Sequence, residues 1–133
     1  MSKQIINPPQ LAPPRGFNHG IVCDRGRILF LAGQDGSDAN GQIVSPGDVV
    51  IQYEQILKNL QAVVQAAGGQ MTDIVKLNIF VSNRDDYVSK LEAIGRVHKQ
   101  YFGNYYPAMA LFEVLGFFQK AALIEMEGFA YLD

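Results

Sequence analysis

The chain has 133 residues, a formal net charge of −2, a single cysteine and no run of lysine or arginine. That length can bury one sizeable core without metal or disulfide staples, so one domain is expected over residues 1–133, its first fifteen residues forming a Pro-rich arm. The acidic balance lacks the basic stripe that phosphate binding requires, and no apolar run approaches the roughly 18 residues of a membrane span. Neither nucleic acid nor a membrane is expected as partner. With no charged leader followed by a long apolar segment, a cytoplasmic protein is expected.

In chain order, Pro8, Pro9, Pro13 and Pro14 forbid a helix in the arm and leave room only for a short edge strand such as Gln4–Asn7. Gly20–Cys23 and Arg27–Ala32 flank the turn Asp24-Arg25-Gly26 and read as a hairpin, ended by Gly33-Gln34. Cys23 is expected as a small buried hydrophobe. Residues 35–47 are rich in Gly, Ser, Asp and Asn and read as a surface loop in which only Ile43-Val44 can pair. From Asp48, the residues Val49, Tyr53, Ile56, Leu60, Val63, Val64 and Ala67 recur at steps of three and four, predicting a helix over Asp48–Ala67 stopped by Gly68-Gly69.

Val75, Leu77, Ile79 and Val81 then alternate with Lys76, Asn78 and Phe80, predicting a strand with one buried face. Asn83-Arg84-Asp85-Asp86 caps a second helix carrying Tyr87, Leu91, Ile94, His98, Tyr101 and Phe102 on one stripe, ended by Gly103-Asn104. The last stretch reads as two long strands, Ala108–Leu115 and Ala121–Leu132, joined by the short turn Gly116-Phe117-Phe118-Gln119-Lys120 and entered through Tyr105-Tyr106-Pro107. They carry Glu113, Glu125 and Glu127, and a carboxylate facing an apolar interior is costly unless something holds it. The economical fold is α+β, with both helices on one face of a single mixed sheet. The other face, with candidates Phe80, Met109, Leu111, Ile124 and Met126 or their alternating neighbours, is too apolar to stay wet. Self-association is expected to cover it. The two histidines have no cysteine or carboxylate at ligand spacing, so no metal site is expected.

The collinear set Ala32-Gly33-Gln34, Val63-Val64-Gln65-Ala66-Ala67-Gly68, Thr72-Asp73-Ile74-Val75-Lys76, Phe80-Val81, Tyr106-Pro107-Ala108, Phe112-Glu113-Val114 and Ile124-Glu125-Met126-Glu127 resembles the RidA/YjgF family of reactive-intermediate deaminases, from about Gly16 to the C-terminus. The resemblance implies a chorismate-mutase-like fold assembled as a homotrimer, with ligand clefts between adjacent subunits. It also implies hydrolysis of imines or enamines to a keto acid and ammonia, without metal or organic cofactor. Glu125 matches the acidic residue that activates the attacking water in the family. Phe17 stands where the family usually has Tyr, and His19, two residues on, is a candidate for the same cleft, with a surface group as the alternative.

One position departs from the family pattern. The motif Pro-Ala-Arg, whose guanidinium pairs with the substrate carboxylate, is Pro107-Ala108-Met109 here. The resemblance therefore implies a more apolar pocket, formed by Phe17, Met109 and Leu111, with Tyr105 or Tyr106 supplying a hydroxyl. Arg15, Arg84 and Arg96 are the cations that could replace the anchor, and no sequence argument carries them to the cleft. The second helix is longer than the family's, with Gly95 where an Asn is common and His98 near a position usually aromatic. His98 is expected in the core or an interface, with a site role as the alternative. The functional expectation is a divergent imine or enamine hydrolase acting on a small molecule. The alternative is a trimer that binds a small ligand without turnover.

Overall fold

A computed structural model of the chain describes residues 3–133. Its order is β1 (Lys3–Ile6), β2 (Gly20–Cys23), β3 (Arg27–Asp35), α1 (Val49–Ala66), a single 3-10 turn (Met71–Asp73), β4 (Ile74–Val81), α2 (Arg84–Ser89), α3 (Leu91–Phe102), β5 (Ala108–Glu113) and β6 (Ile124–Leu132). A four-stranded mixed sheet runs β3-β6-β4-β5, with β4 and β5 parallel and the other pairs antiparallel. Helix α1 packs against one of its faces and α3 lies beside α1, joining the same core through Ile94 and Phe102, as the α+β reading expects.

The expected first helix forms because Asp48 accepts the Ile51 N–H at 3.0 Å, and because its stripe of Tyr53, Ile56, Leu57, Leu60 and Val64 meets the sheet. Asn83 caps the second helix through the Asp86 N–H at 2.9 Å, but that helix breaks at Lys90 into α2 and α3. Glu113, one of the three carboxylates of the last strands, accepts the Arg84 N–H at 2.7 Å, so its charge sits at the start of α2.

Two pairings differ from expectation. β2 pairs with β1, and β3 pairs along its length with β6, so Gly20–Cys23 and Arg27–Ala32 form no hairpin. The local turn signal loses to the long β6, which offers β3 seven paired positions across a bulge at Ala32-Gly33. β3 therefore continues through Gly33-Gln34 to Asp35 rather than ending there. Likewise β5 and β6 are not neighbours, because β4 lies between them. Cys23 is partly exposed rather than buried.

Register assigns the sheet faces. Leu77, Ile79 and Val81 of β4 and Ile124, Met126, Ala130 and Leu132 of β6 are buried beneath the helices. On the opposite face Phe80 stacks on Phe112 at 5.5 Å, and Phe30 meets Phe129 edge-on at 5.4 Å. Of the five residues named for that open face, only Phe80 lies there. Ile124 and Met126 have the parity of the core, and Met109 and Leu111 pair with Leu77 and Ile79 on the helix side. Their alternating neighbours supply the open face instead, where Phe30 is 71% and Phe112 48% exposed.

β6 can approach β4 only because Gly128 lacks a side chain, since a Cβ there would overlap the Lys76 carbonyl oxygen. Gly95 in α3 has nothing within 4 Å of an added Cβ. Urea unfolding should show Gly128→Ala destabilised by about 1–3 kcal/mol or more, since backbone has to move. Gly95→Ala should gain roughly 0.5–1 kcal/mol from helix propensity.

Candidate functional site

A cavity of about 480 Å³ opens between α2, α3 and the helix-facing side of β4 and β5. Asn18 builds its entrance. Its N–H donates to the Pro107 carbonyl at 3.0 Å and its side-chain amide to the Tyr106 carbonyl at 2.7 Å, which lays residues 17–18 beside the head of β5. Phe17 thereby reaches the cavity with Tyr106, Met109 and Leu111. Most of the lining is apolar, as in small-molecule sites generally.

His98 lines the same space, 4% exposed, stacked between Tyr106 at 4.6 Å and Phe102 at 4.4 Å. Its Nε2 lies 3.0 Å from the Tyr105 carbonyl, so Nε2 is the protonated nitrogen of the neutral ring. Burial lowers its pKa, against the raising effect of that hydrogen bond. The ring is buried, as the core expectation has it, and forms part of the cavity wall. Tyr105 is different: its hydroxyl donates to the Ile74 carbonyl at 2.6 Å and its ring receives the Lys3 ammonium at 4.3 Å. Of the two candidate phenols, Tyr106 is the one at the cavity.

Glu125 belongs to another part of the molecule. It pairs with Phe80 and Asp35 in register and so lies on the sheet face opposite Met109 and Leu111. Its carboxyl rests on Gly33, where a Cβ would come within 2.6 Å of Oε2. Asp35 beside it is held by the Ser37 hydroxyl and by the Gln119 amide at 3.3 Å. The loop that supplies Gln119 is in turn fixed by Gln52, which is fully buried, donates to Ala121 and accepts the Leu123 N–H at 2.8 Å. Burial, and then repulsion from Asp35 and Glu127, push the Glu125 carboxyl above the ordinary carboxylate range.

One chain therefore brings together Phe17, Tyr106, Met109 and Leu111, and leaves Glu125 and His19 outside the cavity. The His19 Nε2 lies 2.8 Å from the Ala12 carbonyl, and its N–H donates to Asn7 Oδ1 at 2.8 Å, fixing the arm. Arg15 reaches the cavity rim, whereas Arg84 and Arg96 pair with Asp85 and Glu92. Sequence reasoning took Tyr53 and Tyr87 as stripe residues, yet both line the cavity. The available signal was a hydroxyl on an otherwise apolar helix face, which needs a partner when buried. Among the described residues no group of three or more His, Cys, Asp or Glu could hold a metal ion, and no helix is long and apolar enough to cross a membrane.

The model of the family described as Endoribonuclease L-PSP matches residues 9–132. The chain belongs to this family, that of the RidA/YjgF proteins. It is 31% identical to the 2-iminobutanoate/2-iminopropanoate deaminase of Dermatophagoides farinae over 98% of each chain. It is 34% identical to a RutC family protein of Pyrococcus horikoshii, over 98% of this chain and 99% of that one. A Rid-family protein of unknown function from Yersinia pestis matches with a TM-score of 0.89 at 34% identity, over 99% of this chain and 100% of the other. The RidA-like fold expected from the sequence is thus the observed one.

The raised Glu125 carboxyl sets a sign for this RidA-family member's stability. Between the unfolded glutamate pKa of about 4.3 and the higher folded value, the folded chain holds more protons, so stability falls as pH rises through that window. Glu125→Gln removes the titration. Its melting temperature should exceed the wild type's at pH 7, with the difference vanishing near pH 4. A variant that melts lower at pH 7 would show that the ionised carboxylate is held by favourable contacts.

Proposed function

We propose that this RidA-family chain hydrolyses imines or enamines of small molecules with release of ammonia, and that it is not a typical 2-iminobutanoate deaminase. The observation that carries the reading is the Glu125 carboxyl, raised above its ordinary range on a bed made by Gly33, in a chain 31% identical to a named imine deaminase over nearly its full length. A carboxyl poised closer to neutrality both takes and returns a proton. Glu125 takes a proton from water as the water oxygen bonds to the C=N carbon, and the C=N π pair moves to nitrogen, which takes that proton back from Glu125 to give the carbinolamine. Glu125 then carries the carbinolamine hydroxyl proton to the same nitrogen as the C–N bond breaks, leaving the carbonyl and ammonia.

Glu125 and the cavity lie on opposite sheet faces, so in this reading adjacent copies complete the site. The open face supports this. Phe80 and Phe112 stack beside Glu125, and Phe30 and Phe129 meet further along the same face beyond Glu127 and Asn78; among the described residues no helix covers either pair, and burial in a homotrimer contributes about 1.5–3 kcal/mol per fully buried aromatic. Met109 stands where the family motif carries its carboxylate-binding Arg, which supports a changed substrate preference. A cytoplasmic setting and the absence of a metal or organic cofactor belong to the same proposal. A second reading, a trimer that binds a small ligand without turnover, is favoured by the separation of Glu125 from the cavity within one chain.

Ammonia release measured on a panel of amino-acid imines and enamines separates the two. Glu125→Gln should lose at least 100-fold in kcat, the lower range for a general acid or base. Equal inactivity of wild type and variant would favour the binding reading. Met109→Arg should gain activity on 2-iminobutanoate, and no gain would mean that Met109 is not the barrier. Light scattering should give three chains per particle, and a charge introduced by Phe30→Glu should split it into monomers with helical content intact. A monomeric wild type would contradict the trimer.

A further inference from the structure

The cavity has a polar floor and a charged rim, and the two ends ask for different groups. Tyr53 and Tyr87 are 3% and 6% exposed, and among the described residues neither hydroxyl hydrogen-bonds to a protein atom. Among the described residues no fully buried side-chain oxygen or nitrogen lacks a partner, so neither hydroxyl is sealed in the interior, and both tyrosines line the cavity. The Tyr106 phenol, also at the cavity, lies close enough to Tyr53 to influence its ionisation. Burial pushes the phenols up, Tyr87 to about 12, so at neutral pH the floor presents O–H donors and no charge. A hydroxyl open to the cavity and unused by the protein is free to donate to a ligand acceptor.

At the rim Arg15 is exposed and has no ion-pair partner among the described residues, unlike Arg84 and Arg96. The wall between is apolar, with Phe17, Ile94, Met109 and Leu111. A carboxylate driven to the floor would be buried without a counter-charge, so it belongs at the rim. A 2-oxo or 2-imino acid carries both groups on adjacent carbons, whereas here the cation is on an exposed residue and the hydroxyls are on buried ones.

We infer that the cavity takes an organic anion with an apolar body, its carboxylate at Arg15 and a carbonyl or imine acceptor at its far end against the Tyr53 and Tyr87 hydroxyls. This rests on the proposed imine-handling site for its chemistry, and binding read without turnover tests it separately. The rim cation takes over the task that the family motif gives to the position of Met109, but at greater distance from the reacting group.

Calorimetric titration with 4-acetylbenzoate, 4-ethylbenzoate, acetophenone and phenylpyruvate tests it. Wild type should bind 4-acetylbenzoate most tightly. The double variant Tyr53→Phe, Tyr87→Phe, which keeps ring volume, should weaken 4-acetylbenzoate and acetophenone roughly tenfold, the scale of one to two hydrogen bonds, and leave 4-ethylbenzoate and phenylpyruvate unchanged. Arg15→Gln should weaken the carboxylates and spare acetophenone. The inference is overturned if 4-ethylbenzoate binds wild type as well as 4-acetylbenzoate, if the tyrosine variant weakens all probes alike, or if no probe binds. This binding pattern in a protein that releases no ammonia from any imine would support the inference while ending the hydrolase reading.

Discussion

Strand β6 lies between β3 and β4, and the alternation of its side chains partitions the molecule. Ile124, Met126, Ala130 and Leu132 point to the helices and are at most 4% exposed, so a one-residue slip would place four core residues in water and four outward residues in the core. Gly128 and Gly33 hold that register from both sides, the first by admitting the Lys76 carbonyl and the second by making room for the Glu125 carboxyl. Because register is fixed, Glu125 is fixed on the open face. The cavity is equally fixed on the other, since Met109 and Leu111 share their parity with Leu77 and Ile79. The division of labour between the two faces is therefore a consequence of core packing.

That division explains why the polar features fall into two groups with different chemistry. On the open face Asp35, Glu125 and Glu127 crowd negative charge beside phenylalanines, and the response is a carboxyl that holds its proton more strongly. In the cavity the polar groups are phenols and a neutral imidazole, with one cation at the rim. Proton transfer suits the first group, and recognition of a ligand with an acceptor suits the second. Neither group alone completes the proposed hydrolase, and the exposed aromatics on the face that carries Glu125 are where another copy of the chain is proposed to sit.

Much of this was legible in the residues. The spacing of Tyr53, Ile56 and Leu60 and the cap at Asp48 located α1 to within a residue at each end, and the alternation of Leu77, Ile79 and Val81 gave the buried face of β4. The hairpin at Asp24-Arg25-Gly26 failed because a turn signal is local, whereas the competing partner of β3 lies about a hundred residues on. The parity of β5 could not be read because it is apolar on both faces, whereas in β6 Glu125 and Glu127 alternate with Ile124 and Met126 and mark the outward face only over that half of the strand. Leu111 and Phe112 look alike until a neighbour's register assigns them. The resemblance to the RidA family located Phe17, Tyr106, Met109 and Leu111, which do converge on the cavity. It was silent on Tyr53 and Tyr87, because a phenol in a helical stripe reads as core, and it offered Arg15 only as one of three possible substitute cations, with nothing in the sequence to carry it to the cleft.

The proposal that copies share a site is tested most directly by mixing two defective variants. Glu125→Gln lacks the proton-handling group but keeps the cavity, whereas Met109→Trp blocks the cavity but keeps Glu125. Each alone should be inactive on an imine that wild type hydrolyses. After co-refolding, with subunit exchange verified by native mass spectrometry, the mixture should recover ammonia release that neither parent shows. If exchange is complete and the mixture stays as inactive as its parents, Glu125 and the cavity do not meet across copies, and the account of the site fails.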